Sequence, residues 1–308
     1  SLLRLLCIAV VQPVLLLVLL GTIQMALSMK ISEIIDKLEA YHGPLEPERR
    51  TCDIVQYGDP DQVCTGIVLS CCPTAEVIRK AAELGCNLII GHEPLFYDGW
   101  DETDWLQDNC VYQAKKQLLD RLGIVVYRDH DHIHNHRPDG IFSGLAKMLG
   151  WEQYQETENY FPGTAYHLPL TTVRAVAEHV AHTMQIDGIR IIGDPEMPVE
   201  RVAIVGHFFG TDWDRQNIQL IEKMNCDLII PGEVIDWTIG EYVQDANTLG
   251  IRRALLNVGH FNLEEPGMRY MAQWLPKVLA CDLPIHFVQS GNSFGWLSFK
   301  KAEEGKRL

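Results

Sequence analysis

Leu84-Gly85-Cys86-Asn87-Leu88-Ile89-Ile90-Gly91-His92-Glu93 returns later in the chain as Met224-Asn225-Cys226-Asp227-Leu228-Ile229-Ile230-Pro231-Gly232-Glu233, at a constant offset of 140 residues. Five of the ten positions are identical. A short apolar run that stops at a small residue reads as a buried strand. Its recurrence at a fixed period marks two related structural units.

The surroundings of both copies extend the pattern. Upstream of the first, residues 66–71 read as a strand, and residues 74–84 as a helix with apolar positions at Val77, Ile78, Ala81 and Ala82. Helix then strand follows from Tyr112 to Tyr127, and a Pro138-Asp139-Gly140 turn leads into a helix over 141–149 closed by Gly150. The second copy has its own strands at 202–207 and 254–258. Such alternation predicts an α/β fold. We expect two related α/β halves, about 29–160 and 161–308, with mixed sheets facing each other across a metal-containing cleft.

The metal enters through the strand ends, where α/β proteins display reactive side chains. Four of the twelve histidines fall in Asp129-His130-Asp131-His132-Ile133-His134-Asn135-His136, directly after the apolar run 123–127. The first repeat copy ends in His92-Glu93, and Val258-Gly259-His260-Phe261-Asn262-Leu263-Glu264 places a histidine and a carboxylate four apart, one helical turn. Imidazole and carboxylate suit zinc, manganese, iron or nickel. An isolated histidine after a strand is ordinarily capped or solvated; three such sites with neighbouring carboxylates point instead to a shared centre. If the histidine run stays extended, His130, His132 and His134 share one face. His207, in Val205-Gly206-His207, reads as closing a strand rather than lining the cleft.

Composition limits the function classes. The chain has 308 residues, 47% apolar and 22% charged, with a net charge of -15. That is an ordinary globular balance, and it argues against duplex nucleic acid as a partner, because phosphate contacts need a basic face. Nine cysteines with no Cys-x-x-Cys pair suit free thiols in a reducing, cytoplasmic compartment. No phosphate-binding glycine loop, dinucleotide fingerprint, Gly-x-Ser-x-Gly elbow or His-Glu-x-x-His helix is present.

Residues 1–28 stand apart. From Leu5 to Ser28 there is no charge, and Arg4 precedes the run. This extension reads as upstream sequence translated from a misplaced start, with a signal or anchor as the alternative; only in that case is a membrane or export expected. Met29 looks like a natural beginning, followed by an amphipathic helix that Ser32 can cap.

Taken together, Gly58-Asp59-Pro60-Asp61, Asn87 through Phe96, the His130 region with Gly140-Ile141, Gly232-Glu233, and Gly259-His260 through Gly267 resemble the NGG-interacting-factor-like family of dinuclear-metal hexamers, known in bacteria as GTP cyclohydrolase 1 type 2 (the YbgI type). The resemblance covers residue 29 to about residue 300. It carries the family's ligand pattern onto His92, Glu93, His134, His260 and Glu264, with two departures. Glu93 stands where the family has a second histidine, and His134 where it has an aspartate. The spacing to Gly140 is one residue longer than usual, so Asp131 or His132 is an alternative to His134.

The resemblance implies two divalent cations per chain, a homohexamer, and metal-dependent hydrolysis of a nucleotide-like or other phosphorylated or heterocyclic small molecule. Glu93 and Glu264 are the bridging candidates. Asp131 or Glu233 would orient ligands or accept a proton, unless Glu233 merely starts a helix. A non-enzymatic metal-binding or interaction hexamer is the alternative, because a fold does not fix a reaction. Trp100, Trp105, Trp151 and Trp237 are candidate interface anchors.

Overall fold

Apolar runs that leave no polar face free can be covered on both sides only in the middle of a sheet. In the computed structural model, which describes residues 28–158, 160 and 163–297, this is where they lie. The apolar segment 1–28, Ser28 apart, lies outside the described residues.

The first sheet runs in the order β1 (Val55–Tyr57), β4 (Val125–Arg128), β3 (Leu88–Gly91), β2 (Ile67–Ser70) and β10 (Ile285–Phe287), with β1 antiparallel to its neighbour and the others parallel. The second runs β5 (Thr164–Thr172), β7 (Pro198–Val205), β8 (Leu228–Pro231), β9 (Ala254–Asn257) and β6 (Arg190–Ile192). There β7, β8 and β9 are parallel, and β5 and β6 are antiparallel edges. A parallel trio with an antiparallel strand beside its third member, β2-β3-β4 with β1 and β7-β8-β9 with β6, thus occurs in both sheets, and β3 and β8 stand 140 residues apart as the repeat requires. The sheets also interleave: β10, from the last part of the chain, closes the first sheet.

Alternation along the strands gives each sheet two cores. Leu69, Ile90 and Tyr127 face α1 (Ile31–His42), whereas Val68, Ile89 and Val126 face α2 (Ala75–Glu83) and α3 (Cys110–Leu122). In the second sheet Ile204, Ile230 and Leu256 pack on α6 (Val173–Met184), and Val205, Ile229 and Leu255 pack on α7 (Asp212–Met224) and α8 (Glu241–Thr248).

Two helices belong to both halves. In α5 (Gly140–Leu149), Ile141 enters the core of the first sheet and Leu145 that of the second; in α9 (His260–Leu279), Met268 and Leu263 divide in the same way. The pair lies between the sheets. Glycines let the helices touch: a Cβ on Gly144 would come 2.7 Å from Gly267 Cα, and one on Gly267 would come 2.7 Å from Ile141 Cα. Because α9 begins at His260, this contact sets where the start of the helix meets the strand ends.

Two expectations are corrected. Ser32 does not cap α1; it lies within the first turn, Lys30 occupies the cap position, and Glu33 Oε2 accepts from Lys30 N at 2.7 Å. Trp151 is 5% exposed and packs on Tyr166, so it anchors the core and no interface. Among the described residues no helix is long and apolar enough to cross a membrane, and the described cysteines are all free.

Replacing Gly267 by alanine drives a methyl into backbone atoms that cannot rotate away. Overpacking of this kind should cost about 1–3 kcal/mol, read as a lower urea midpoint. Gly99→Ala, where a Cβ meets nothing within 4 Å, should shift stability by no more than about 0.5 kcal/mol. Equal midpoints for the two variants would refute the close-packed helix pair.

Candidate metal centre

The carboxyl ends of β3, β4, β7 and β8 and the first turn of α9 converge on one point. His92, directly after β3, is 0% exposed. Its Nδ1 donates to the Asp129 carbonyl at 3.0 Å, which turns Nε2 into the pocket. That buried Nε2 has no hydrogen-bond partner and faces Glu264 Oε2 at 3.3 Å.

The histidine run is not extended. Residues Asp131–Asn135 form the short helix α4, because the buried Asp53 carboxylate collects the N–H groups of His130, Asp131 and His132 at 2.7–2.9 Å. A helix start has such free donors, and a carboxylate satisfies them. His130 and His134 therefore fall on one face, with His92: the three offer ring nitrogens within 4.8 Å of one another. His132 is turned away and bonds Asp53 Oδ2 through Nδ1 at 2.7 Å. The expectation that His132 shares their face fails because four residues, not two, return to the same side of a helix.

Glu264 ties this group to the second half. Its Oε2 lies 2.9 Å from His260 Nε2 as well as facing His92, and its Oε1 lies 3.9 Å from His207 Nε2. Glu93 Oε1 approaches His260 Nε2 at 3.1 Å, and Arg128 stands 3.8 Å from its other oxygen. Two further sets of donors, His92 with Glu93 and Glu264, and His207 with His260 and Glu264, each lie within 4.8 Å.

Behind the donors sit groups that hold them. Asp139 Oδ2 accepts from His134 Nδ1 at 2.9 Å while its Oδ1 caps α5. Glu233 accepts from His260 Nδ1 at 2.5 Å and also bonds His207 Nδ1. Asp131 reaches His130 Nδ1 at 3.2 Å, and its oxygens are taken by Arg49, Thr51 and Cys52 N. Asp131 thus sits behind His130, outside the central cluster. Cys52, His130 and Asp131 also come within 4.8 Å. That group makes a poor cation site: burial pushes the Cys52 thiol up to about 12, and the Asp131 carboxylate is already saturated.

The electrostatics are those of a crowded acidic pocket. Burial opposes charge on His260, but Glu264, Glu233 and Glu93 outweigh it and hold the imidazole far above its ordinary range. Burial likewise opposes ionisation of Glu264, yet His260 and His92 keep it well below the usual carboxylate range. Glu233 is drawn down to about 2, its burial overcome by hydrogen bonds from His207 and His260. Two buried carboxylates, Glu264 and Glu93, and the partly exposed Glu233 thus converge on His260, with Arg128 3.8 Å from Glu93.

Divalent cations fit this arrangement. The buried His92 Nε2 has no hydrogen-bond partner and lies 3.3 Å from a Glu264 oxygen, and the carboxylates of Glu93 and Glu233 crowd the same space. His92, His130 and His134 can hold one cation, and His207 and His260 another, with Glu264 and Glu93 between.

His207 was read from the sequence as closing a strand; the structure brings it into the cluster. The repeat held the signal. Gly232 stands where the first half has His92, and a Cβ there would come 2.2 Å from His207 Nδ1. His207 fills the space that a histidine at residue 232 would need.

Known proteins share this chain's pattern. A model of the Duf34/NIF3 (NGG1p interacting factor 3) family matches residues 29–293. A Clostridium perfringens protein named GTP cyclohydrolase 1 type 2 homolog is 24% identical over 274 residues, covering 85% of this chain and 96% of its own length. A Lactococcus lactis protein of the same name is 26% identical over 243 residues, covering 77% and 86%. Among solved structures, a Bacillus cereus protein related to NIF3 superposes with a TM-score of 0.65 at 14% identity, covering 88% of this chain and 99% of that one. Protein ybgI, described as of unknown function, gives 0.64 at 20%, covering 86% and 99%. At these identities the structures show the fold.

Two outcomes follow. Gly232→Ala should displace His207 and lower the affinity of the more weakly held cation at least tenfold, an effect of the size that loss of a ligand's supporting contacts has, while His132→Ala leaves both affinities unchanged. Metal titration by calorimetry checks this, and equal effects would remove His207 from the centre. Because His260 is protonated in the metal-free protein at pH 7 and a ligand must give up its proton, cation binding should release at least about one proton. Affinity should therefore fall as pH falls. Binding heats that do not vary with buffer ionisation enthalpy would contradict it.

Proposed function

We propose, from the premise that this chain belongs to the Duf34/NIF3 family, that it holds two divalent cations and hydrolyses a nucleotide-like or other heterocyclic or phosphorylated small molecule. The observation that carries this is the buried His92 Nε2 facing Glu264 Oε2, with His260 on the same oxygen. The name of the Clostridium and Lactococcus relatives, GTP cyclohydrolase 1 type 2 homolog, supports the substrate class.

Bound cations would supply an activated water and polarise the attacked group. The chain's own residues prepare for it. The Asp129 carbonyl holds His92 by Nδ1 with Nε2 turned inward. Asp139 does the same for His134, and Glu233 orients His260 and His207 together. Glu264 and Glu93 bring carboxylate oxygens between the two groups of histidines, where they offset positive charge. Glu233 is the carboxylate nearest solvent among the three and stands where a proton can be passed outward from His260. His92 and Glu264 form a floor closed to water, and His207 and Glu233, about one-third exposed, offer reactants a way in.

The same reading carries a homohexamer in a reducing, cytoplasmic setting, which the free thiols support.

Purified protein should retain about two divalent ions per chain by elemental analysis and hydrolyse at least one member of a nucleoside-phosphate panel that includes GTP. Turnover should vanish on chelation and return with zinc, manganese, iron or nickel. Light scattering on the same preparation should give the mass of six chains. Retained metal with no turnover across the panel would reject the hydrolase in favour of a metal-binding or interaction protein, and metal-free protein that still turns over would reject the centre.

A further inference from the structure

We propose that Phe209 and Trp237 form a stacking platform for a planar heterocyclic ring at the mouth of the metal centre. The inference rests on the hydrolase reading above and names the substrate class it leaves open.

Phe209 lies against the centre itself: its ring stacks on His207 at a centroid distance of 5.5 Å with 19° between the planes. It is nevertheless 53% exposed, and Trp237 is 68% exposed. Trp237 packs over Gly210, the residue after Phe209, where a Cβ would come 2.8 Å from Trp237 Cζ2. Large apolar rings left in water at a site mouth are the groups that bind flat ligands, because a π-face takes any planar base.

The platform is held rigid from below. Asp214 is 3% exposed, and its carboxylate accepts from Phe209 N at 2.9 Å, Gly210 N at 3.1 Å and Thr238 Oγ1 at 2.6 Å. One buried carboxylate therefore clamps the loop that carries Phe209 to the turn that carries Trp237. That turn, Asp236–Gly240, is π-helical, a rare geometry that is frequent at functional sites. Two aromatics fixed before binding lose little freedom when a ring docks, which favours affinity. Position decides the role: His207 covers one face of Phe209 and with Glu233 lines a solvent-open side of the centre, so a ring on the other face of Phe209 would sit at the mouth with substituents extending past the ring edge toward the cluster. Among the described residues no lysine or arginine is paired with the Phe209 loop, His207 or Glu233, so recognition would fall on the ring rather than on a phosphate.

The test uses the metal-loaded protein and calorimetric titration with guanosine, adenosine and cytidine, with ribose as the non-aromatic control. At least one nucleoside should bind with a Kd below about 1 mM, and ribose should not. Phe209→Leu, which keeps an apolar contact on His207, and Trp237→Ala should each weaken that binding roughly tenfold or more, with metal content unchanged. The proposal is overturned if no nucleoside binds, if ribose binds as well as they do, or if both variants bind like the parent chain. It is overturned too if Phe209→Leu loses metal, which would make Phe209 a support for His207, or if Trp237→Ala alters only the mass of the assembly. A protein that binds nucleosides but hydrolyses nothing keeps this inference and loses the hydrolase. One that hydrolyses while both variants bind unchanged loses this inference alone.

Discussion

Glu264 is a carboxylate 1% exposed to water, and the rest of the site is arranged around what that burial demands. A lone buried carboxylate is strongly disfavoured, and this one has His92 and His260 on the same oxygen, one from each half of the molecule. Glu93 and Glu233 add two more acidic groups to the same pocket. Three carboxylates converge on the one imidazole of His260, with Arg128 held off at 3.8 Å from Glu93, which leaves a surplus of acidic oxygens that an added cation would offset. This surplus is why the cluster reads as a cation site rather than as a structural ion-pair network.

That demand reaches outward through groups that never face a cation. Asp139 caps α5 with one oxygen and holds His134 with the other, so the helix shared by both sheets and the first histidine group are fixed by the same side chain. The Asp129 carboxylate, 0% exposed, bonds His42 Nε2 on α1 at 3.0 Å while its carbonyl fixes His92. Asp53 starts α4 and so decides which histidines turn inward. Such outer contacts set ligand orientation, and here they also join secondary elements. Packing and site geometry are consequently hard to separate: the glycine contact between α5 and α9 that lets the helices meet also sets the position of Glu264.

The layered fold and the main donors were legible because they depend on local pattern. Short uniform apolar runs such as 88–90, bounded by small or polar residues, read as buried strands, and a histidine or glutamate directly after one then lies at a strand end. His92, Glu93 and His260 follow from that rule, and Glu264 from its four-residue spacing to His260. The histidine run misled because its conformation is decided from outside: nothing within 130–136 announces that Asp53, nearly eighty residues earlier, will wind it into a helix. His207 was undervalued for a related reason. A single histidine after a strand carries no local sign of a partner, and its partners Glu233 and Glu264 are distant in sequence.

The repeat carried more than it first yielded. Strand pairing sets Ser70 beside Gly91 in one half and Val205 beside Pro231 in the other, so His92 corresponds to Gly232 and Cys72 to His207. The strand-end imidazole is therefore carried on β3 in the first half and one strand over, after β7, in the second. The swap is forced by space, since a side chain at residue 232 and the His207 ring cannot coexist, whereas Glu93 and Glu233 keep the same place in both halves. A duplicated scaffold keeps the carboxylates in place and takes one imidazole from a different strand in each half, so that His92 is fully buried while His207 is partly open to solvent.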